Sequence, residues 1–241
     1  MMRIAAGAMS DERSATDVEK ELAARCAAEM VTDGQSIGLG TGSTSLIAIK
    51  EIARRITQEG LNIRGVATSD ASYALGMRLG IPMESLNDFC RVDVTIDGAD
   101  EIDPQFNMIK GGGGALVREK LVAIASDREV IIIDSSKRVS RLGEKRALPV
   151  EVVKFGWHCA AKRLEQLGCR VTLRDSAGRP FESDNGNYIL DCDFGGINDA
   201  PALEKAIKVV PGVVDSGLFI GLAATLIVGT DDRVAIIECK H

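Results

Sequence analysis

The 241-residue sequence predicts an α/β fold, with a mostly parallel sheet, helices on both of its faces and a smaller α+β domain. Three observations support this prediction. Short apolar segments alternate with helix-like segments through the first half of the chain. Glycine-rich or acidic turns follow several of the predicted strands. The order of elements then changes near Leu148, where pairs of strands begin to follow one another.

The first helix is predicted near the amino terminus. Residues 1–15 are small and polar without periodicity, and we expect a loose tail there. Thr16 to Glu19 has the S/T-x-x-E form of a capping box, the usual start of a helix. Apolar residues then recur at four-residue spacing, which predicts an amphipathic helix with one buried face: Val18, Leu22, Cys26 and Met30.

Strands and helices then alternate up to about residue 134. The predicted strands are 36–39, 63–67, 91–96 and 130–133. Helices are predicted around 46–56, around 73–79 and from about residue 115. Because strands joined by helices pair in parallel through right-handed crossovers, these elements predict a largely parallel sheet.

The second half of the chain has a different order of elements. Strands are predicted at 149–153, 170–173, 188–193 and 213–215, with helices at 157–167 and 201–209. This β-α-β-β-α-β order is the ferredoxin-like split unit. Two further strands, 222–228 and 234–237, are expected to return to the first sheet. We therefore predict one domain of residues 1–147 and 217–241, and a small α+β domain of residues 148–216.

Composition excludes several classes of function. The chain has 29 basic and 35 acidic residues, a net charge of −6 and a pI near 5.1, so it lacks the basic character of a nucleic-acid-binding protein. The longest apolar stretch, residues 218–228, is shorter than the ~18 residues that a membrane span needs. The amino terminus has no apolar segment typical of a secretory signal. We expect a cytoplasmic protein without nucleic-acid or membrane partners.

Histidine and cysteine usage narrows the chemistry. With only two histidines, His158 and His241, a histidine-based zinc site or a Ser-His-Asp triad is not expected. The six cysteines are scattered without a C-x-x-C pair, which is typical of reduced core residues in a cytoplasmic chain. Cys159 beside His158 is not expected to form a reactive pair, because adjacent helix residues diverge.

The first candidate site is the glycine-rich turn 38–44, between a strand and a helix. Glycines let backbone N–H groups approach a ligand, and a helix amino terminus favours an anion such as phosphate. The turn lacks the Gly-Lys-Ser/Thr of a P-loop, and Ser43 replaces the third glycine of a dinucleotide fingerprint. A tight turn that needs glycine for its geometry alone is the alternative interpretation.

The second candidate is the acidic segment 97–103, which has four carboxylates at the end of a predicted strand. Ligands bind at the carboxyl edge of parallel sheets. Crowded carboxylates raise one another's pKa values, which suits proton transfer. Magnesium binding and a solvated acidic turn remain open alternatives for this segment.

The third candidate is the segment 110–120, which begins Lys110-Gly-Gly-Gly-Gly and continues into a helix. Four consecutive glycines cost backbone entropy and indicate close contacts or unusual dihedrals. Glu119 lies just over one turn into that helix; taken alone, its position favours an exposed helix residue over a functional one. Residues 68–72 could cap a helix or hold substrate hydroxyls, and Lys137 follows an apolar strand. Lys20 is a solvated lysine unless the first helix packs against the glycine-rich turn.

Taken together, these segments resemble ribose-5-phosphate isomerases of the A type. The motifs that carry the resemblance are GTGST at 40–44, DGADE at 97–101, KGGGGAL at 110–116 and REK at 118–120. LPVE at 148–151 and DNGN at 184–187 extend it, and it runs in order from about residue 17 to residue 228. The resemblance implies interconversion of D-ribose 5-phosphate and D-ribulose 5-phosphate in the pentose phosphate pathway, without metal or other cofactor. It also implies a Rossmann-like domain with a small α+β domain, in a homodimer or tetramer.

The resemblance also implies roles for particular residues. Glu119 matches the catalytic base, and Asp97, Asp100 and Lys110 match the other catalytic groups. Substrate-binding positions correspond to Lys20, Thr41, Gly42, Ser43, Thr44, Asp97, Gly98, Ala99, Asp100, Lys110, Gly111, Gly112, Gly113 and Lys137. Residues before Asp17 lie outside the match and have no assigned role.

The implied reaction fits these residues. Aldose–ketose isomerisation moves a proton between C2 and C1 through an ene-diolate, which needs one carboxylate and groups that stabilise oxyanion charge. We expect Glu119 to move the proton and Lys110 to stabilise the oxyanion. Asp97 with Asp100 would relay hydroxyl protons and assist ring opening, and the 41–44 turn would hold the phosphate.

Other functions remain possible from the sequence. Related folds include amino-sugar phosphate deaminases, which release ammonia, and CoA transferases, in which a glutamate is the nucleophile. A non-enzymatic sugar-phosphate sensor would keep the glycine-rich turn but could lose the acid and base. Asp97, Lys110 and Glu119 are all present here, which favours an enzyme.

Overall fold

The computed structural model describes residues 14–88 and 90–239. Of the predicted loose tail, residues 1–13 lie outside the described residues, as does His241. Ser14 and Ala15 do not belong to a tail, because Ser14 caps the first helix and Ala15 is its first residue.

The described residues form six α-helices and sixteen strands. The helices are α1 (Ala15–Glu29), α2 (Ser43–Glu59), α3 (Asp70–Arg78), α4 (Leu116–Ile124), α5 (Trp157–Glu165) and α6 (Ala200–Lys208). The strands are β1 (Ser36–Leu39), β2 (Arg64–Ala67), β3 (Met83–Glu84), β4 (Val92–Asp97), β5 (Glu101–Ile102), β6 (Met108–Ile109), β7 (Ser126–Asp134), β8 (Leu148–Val152), β9 (Arg170–Leu173), β10 (Asp175–Ser176), β11 (Arg179–Pro180), β12 (Tyr188–Asp193), β13 (Val213–Ser216), β14 (Leu218–Phe219), β15 (Thr225–Thr230) and β16 (Arg233–Glu238). A 3₁₀ turn, Ser135–Lys137, follows β7.

The large sheet has seven strands in the order β16-β15-β7-β4-β1-β2-β3. Every neighbouring pair is parallel except β15 with β16, which is antiparallel. The predicted mostly parallel sheet is therefore confirmed, and so is the return of the last two strands to it. Since parallel strands share one carboxyl edge, the segments after β1, β4 and β7 lie side by side.

Helices cover both faces of the large sheet, as predicted. On one face α1, α2 and α3 pack over Ile37, Ile96 and Val130. On the other face α4 contributes Val122 and Ala123, which lie over different groups of buried residues. None of the described helices is long and apolar enough to cross a membrane.

The first helix begins two residues earlier than its predicted capping box, so that prediction was wrong in position. Ser14 is the cap, and its hydroxyl accepts a hydrogen bond from the Asp17 amide at 3.2 Å. Glu19 does not reach back to Thr16. Its buried carboxylate instead accepts the Ser135 amide at 2.9 Å, which ties α1 to the 3₁₀ turn after β7.

The buried face of α1 also differs from the predicted one. Val18 and its apolar partners are only half-buried, whereas the fully buried positions are alanines: Ala23, Ala24, Ala27 and Ala28. Small side chains allow α1 to lie close against the sheet. At Gly229 of β15 an added Cβ would lie 1.9 Å from the Glu19 carbonyl oxygen, so the helix backbone contacts the strand directly.

The small sheet has four antiparallel strands in the order β13-β8-β12-β9, with α5 and α6 in the connections. This is the predicted ferredoxin-like arrangement. Leu164 of α5 and Ile207 of α6 pack with Val150 and Leu190 in its core. All these elements lie within residues 148–216. The division of the chain into two domains at those residues stays a prediction.

A third sheet, which no pattern in the sequence predicts, lies in the segments between the strands of the two larger ones. It consists of the two-residue strands β14, β6 and β5, all antiparallel. Strands this short have no periodicity to detect. The β5–β6 hairpin follows β4 directly and ends at Ile109, so it delivers Lys110 back to the carboxyl edge of the large sheet.

Candidate active site

Four segments converge on one cleft at the carboxyl edge of the large sheet. Three of them follow β1, β4 and β7, and the fourth is the glycine-rich segment between β6 and α4. The cleft is lined by Thr41, Gly42, Ser43, Thr44, Ser45, Gly98, Ala99, Asp100, Lys110, Gly111, Gly112, Gly113, Glu119 and Lys137. The structure thus brings together the segments that were singled out from the sequence, 41–44, 97–100, 110–113 and Lys137.

The turn after β1 places the amino terminus of α2 against the cleft. Gly42 caps α2 with a φ of 103°, a conformation that favours glycine. Gly40 is needed for a different reason, because an added Cβ would lie 2.2 Å from Asp97 Oδ1. The first N–H groups of a helix have no partner within it, so this end of α2 can bind an anion.

The Thr41 hydroxyl is engaged beneath the turn. It lies 2.7 Å from the Thr68 hydroxyl and donates to the Ser69 hydroxyl at 2.8 Å. Ser72 donates from the same cluster to the Gly40 carbonyl at 2.6 Å. Ser69 caps α3, which confirms the capping interpretation of this segment. These hydroxyl groups hold the turn in place, and none of Thr68, Ser69 and Ser72 lines the cleft.

Asp97 is the last residue of β4, and its side chain is fully buried behind the cleft wall. Its Oδ1 accepts hydrogen bonds from the Thr41 amide at 2.9 Å, the Gly98 amide at 2.7 Å and the Ser45 hydroxyl at 3.1 Å. Its Oδ2 lies 3.1 Å from Lys110 Nζ. Asp97 therefore connects the turn after β1 to Lys110, and it does not itself line the cleft.

Lys110 joins two carboxylates. Its Nζ lies 3.1 Å from both Asp97 Oδ2 and Glu119 Oε1, and it also donates to the Gly98 carbonyl. Burial by itself would lower the pKa of Lys110, but the charges of Asp97, Glu119 and Glu129 raise it above its ordinary value. Lys110, which lines the cleft, is therefore kept in its charged form.

Glu119 is a buried carboxyl group with one free oxygen. Its Oε1 contacts Lys110, whereas Oε2 has no hydrogen-bond partner among the described residues. Burial raises the pKa of Glu119 to about 8; the charge of Lys110 opposes this rise and that of Asp97 adds to it. A carboxylate with a raised pKa is a stronger base, as proton abstraction from carbon requires.

The four glycines before α4 fit the cleft closely. Gly111 and Gly114 have φ values of 99° and 82°, which L-residues with side chains rarely adopt. At Gly112 an added Cβ would lie 2.6 Å from Asp100 Oδ1. The Gly112 amide donates to Asp100 Oδ2 at 2.7 Å, so Asp100 is held at the cleft wall.

Of the two lysines outside the glycine-rich segments that were predicted to bind substrate, one lines the cleft and the other does not. Lys137, at the end of the 3₁₀ turn, lines the cleft. Lys20 is not among the lining residues; it is half-buried on α1, next to the Glu19 that binds Ser135. A role for Lys20 in substrate binding stays a prediction.

Two residues near the cleft were missed from the sequence. Ser45 lines the cleft and bonds to Asp97; it directly follows the 41–44 turn, which was the available signal. Glu129 lies on β7 opposite Thr95 of β4 and is buried. Neither of its carboxylate oxygens has a hydrogen-bond partner among the described residues. Burial, with a contribution from Asp97, raises its pKa well above the ordinary value. Within the described residues, no group of three or more histidines, cysteines or acidic residues is arranged to hold a metal ion.

Comparison with known proteins gives consistent matches. A family model described as ribose 5-phosphate isomerase A (phosphoriboisomerase A) matches residues 64–233. The ribose-5-phosphate isomerase A of Thermomicrobium roseum is 49% identical over 225 residues, which cover 92% of this chain and 94% of that protein. The corresponding protein of Gloeobacter violaceus is 47% identical over 222 residues, covering 92% and 96%.

Solved structures match over the same extent. Ribose 5-phosphate isomerase A from Methanocaldococcus jannaschii has a TM-score of 0.87 at 38% identity, covering 91% of this chain and 97% of that one. A D-ribose-5-phosphate isomerase in complex with phospho-erythronic acid has a TM-score of 0.90 at 34% identity, covering 92% and 99%.

Proposed function

Since the chain belongs to the ribose 5-phosphate isomerase A family and interconverts D-ribose 5-phosphate and D-ribulose 5-phosphate, we propose that this reaction takes place in the cleft, with Glu119 as its base. The observation that carries the proposal is that Glu119 lines the cleft and contacts Lys110 through Oε1, while Oε2 has no hydrogen-bond partner among the described residues. The reaction belongs to the pentose phosphate pathway.

The phosphate end of the sugar would bind at the start of α2. The N–H groups of Gly42, Ser43 and Thr44 and the last two hydroxyls suit phosphate oxygens, and Lys137 supplies a positive charge on the same cleft. Binding energy from the phosphate, which does not react, then holds C1 and C2 against Glu119.

The proton transfer uses Glu119 and Lys110 together. Glu119 in its ionised form takes the proton from C2, the C1=O bond gains charge on its oxygen, and an ene-diolate forms. Lys110 stabilises that negative charge. A proton then passes from the C2 hydroxyl to the C1 oxygen, and Glu119 returns its proton to C1, which gives the ketose. No net proton is gained or lost, so the same residue is restored after each turnover.

Asp97 and Asp100 have separate places in this proposal. A residue that relays hydroxyl protons must contact the sugar, and Asp100 lines the cleft in which we propose that the sugar binds. Asp97 lies behind that wall, and we assign it the task of holding Lys110 and the 41–44 turn in register. Ring opening is accordingly placed on Asp100.

Replacing Glu119 by Gln tests the assignment of the base. The amide keeps the shape of the side chain but cannot take a proton, so we expect kcat to fall by about 10²–10⁴-fold with ribose 5-phosphate as substrate. Glu165→Gln, an exposed change on α5, is the matched control and should leave kcat unchanged. Formation of the ketose in the presence of EDTA is the measurement.

Binding of phospho-erythronic acid shows whether the Glu119→Gln cleft is intact, since a related isomerase has been solved with that ligand. Near-normal turnover by Glu119→Gln would remove Glu119 from the role of base. Loss of turnover with loss of ligand binding and of thermal stability would indicate a damaged fold instead.

The proposal also includes self-association and cellular location. The family resemblance implies a homodimer or a tetramer acting in the cytoplasm. Large apolar side chains on the surface of the chain support self-association; Phe155 is 96% exposed and Val209 is 79% exposed.

A further inference from the structure

Glu119 lies between two charged residues that anchor α4 to different parts of the chain. Lys120, the next residue, is buried together with its charge. Its Nζ donates to Asp215 Oδ1 at 2.6 Å and to the Ser216 carbonyl at 2.8 Å. Both acceptors lie on β13 of the small sheet, so Lys120 connects the helix that carries Glu119 to that sheet.

The same segment also holds Lys110. The Lys110 amide donates to the Gly217 carbonyl at 2.9 Å, immediately after β13. The centroid of the buried Phe219 ring lies 5.4 Å from Lys110 Nζ and 5.1 Å from Lys120 Nζ. Residues 215–219 therefore contact both lysines, one that touches Glu119 and one that follows it in α4.

A buried ammonium group is an expensive way to attach a helix to a sheet. Its desolvation cost is repaid only by well-placed acceptors, and an apolar side chain of similar size often serves stability equally well. The hydrogen bonds of the ion pair also have a preferred direction, so they fix the position of the middle of α4 relative to β13. Because Glu119 precedes Lys120 in the same helix, the position of Glu119 relative to Lys110 depends on the ion pair.

We propose that Lys120 is a positioning residue for the isomerisation, and that its ion pair with Asp215 keeps Glu119 Oε1 against Lys110 and the Glu119 carboxylate at the cleft. The proposal rests on the function proposed for Glu119. Lys120 itself does not line the cleft, so it acts through its neighbour and not on the sugar.

Lys120→Met tests this inference, since methionine keeps much of the apolar stem and removes the charge. A displacement of the base of about 1 Å costs up to about 10²-fold in rate, so we expect kcat to fall by about 10–100-fold. KM should stay within about twofold, because the phosphate-binding turn is untouched. Asp215→Asn should produce a similar loss, and the double variant should be no worse than the single ones.

Lys208→Met is the matched control. Lys208 Nζ lies 3.0 Å from Asp215 Oδ2, the other oxygen of the same carboxylate, but its side chain is half-exposed. The Lys208→Met substitution removes an ion pair with the same aspartate and does not alter α4, so both kcat and KM should stay unchanged. Lys120→Arg, which keeps the charge and both acceptors within reach, should recover most of the activity lost in Lys120→Met.

Normal kcat in Lys120→Met, or an equal effect of Lys208→Met, would overturn the proposal. A rise in the KM of Lys120→Met by about 10–100-fold with no fall in kcat would also overturn the proposal, since that result would indicate damage to ligand binding. If Lys120→Met does not fold, Asp215→Asn and Lys120→Arg give the same comparison. Full activity in Glu119→Gln would instead overturn the function proposed for Glu119, so the two failures are distinguishable.

Discussion

At the scale of single residues, the chemistry depends on the unequal numbers of positive and negative charges buried in the cleft wall. Lys110 touches two carboxylates, and Glu129 adds a third acidic group that no described residue hydrogen-bonds. One cation therefore faces an excess of acids in a buried region. Burial, with a contribution from the charge of Asp97 that the charge of Lys110 opposes, raises the pKa of Glu119 and makes it bind a proton more readily.

This raised pKa predicts the pH dependence of the reaction. Burial, opposed by Lys110 and assisted by Asp97, raises the pKa of Glu119 to about 8, and only the ionised form can accept a proton. We expect kcat/KM to rise about tenfold per pH unit below pH 8 and to level off above it. The raised pKa of Lys110 keeps that group protonated throughout, so it should add no fall on the alkaline side up to pH 9.

The effect on stability has the opposite sign. Between about pH 4.5 and pH 8 the folded protein retains a proton on Glu119 that the unfolded chain has released, so this group's contribution to the free energy of unfolding decreases as pH rises.

Initial rates measured from pH 7 upward, where the substrate phosphate is mostly dianionic, give the dependence of kcat/KM on pH. A kcat/KM that is flat from pH 7 to pH 9 would contradict the raised pKa.

At the scale of elements, the close approach of β1 to β4 is what builds the cleft. An alanine Cβ at Gly40 would lie 2.2 Å from Asp97 Oδ1 and 2.6 Å from Asp97 Cα, so neither a rotamer nor a small side-chain shift relieves the clash. We expect Gly40→Ala to lower the free energy of unfolding by about 1–3 kcal/mol. It should also lower kcat/KM by at least about 10²-fold, since the turn that binds phosphate must move.

Gly60→Ala separates these two effects. Gly60 ends the same helix, α2, with a φ of 74° and open space around its Cβ position. The substitution should cost about 1 kcal/mol of stability through its backbone alone and leave kcat/KM unchanged. Denaturant unfolding and initial rates measure both variants. Full activity of Gly40→Ala would show that the contact with Asp97 is not required.

The elements also show how far a sequence can be interpreted. The parallel strands and the ferredoxin-like order were predictable because apolar periodicity and turns record them locally. The alanine face of α1 was not, because it depends on how closely the helix lies against Gly229 of a distant strand. The strands around Lys110 are too short to carry any pattern.

The same limit applies to the candidate site. The order of its motifs predicted which segments meet, and the cleft contains them. It could not predict that Asp97 faces inward toward Lys110 while Asp100 faces the cleft, because that depends on side-chain directions at the end of β4. Ser45 and Glu129 were missed for the same reason.

At the scale of the whole molecule, the small sheet is attached to the large one on both sides of Glu119. Lys120 provides one attachment, and Arg118 provides the other. Arg118 donates to the Asp184 carbonyl at 2.7 Å and to Asp70 Oδ1 at 2.6 Å, and the Asp70 amide donates to Asp184 Oδ2 at 2.8 Å. The buried Glu151 holds the turn at 184–187 in place, because its Oε1 accepts hydrogen bonds from the Asn185 and Asn187 side-chain amides.

We propose that residues 148–216 form a separate domain and that this turn couples it to α3 and α4. Asp184→Ala removes the acceptor of the Asp70 amide, so that amide should exchange with solvent faster, with an opening free energy lower by about 1 kcal/mol. Asp175→Ala is the matched control, because Asp175 Oδ1 accepts a hydrogen bond within its own hairpin turn, from the Gly178 amide at 2.9 Å. Hydrogen exchange resolved to the residues of α3 distinguishes the two variants. Equal exchange at residue 70 in both would mean that the Asp184 side chain does not couple α3 to the turn at 184–187, and the attachment on this side of Glu119 would then depend on the contacts of Arg118.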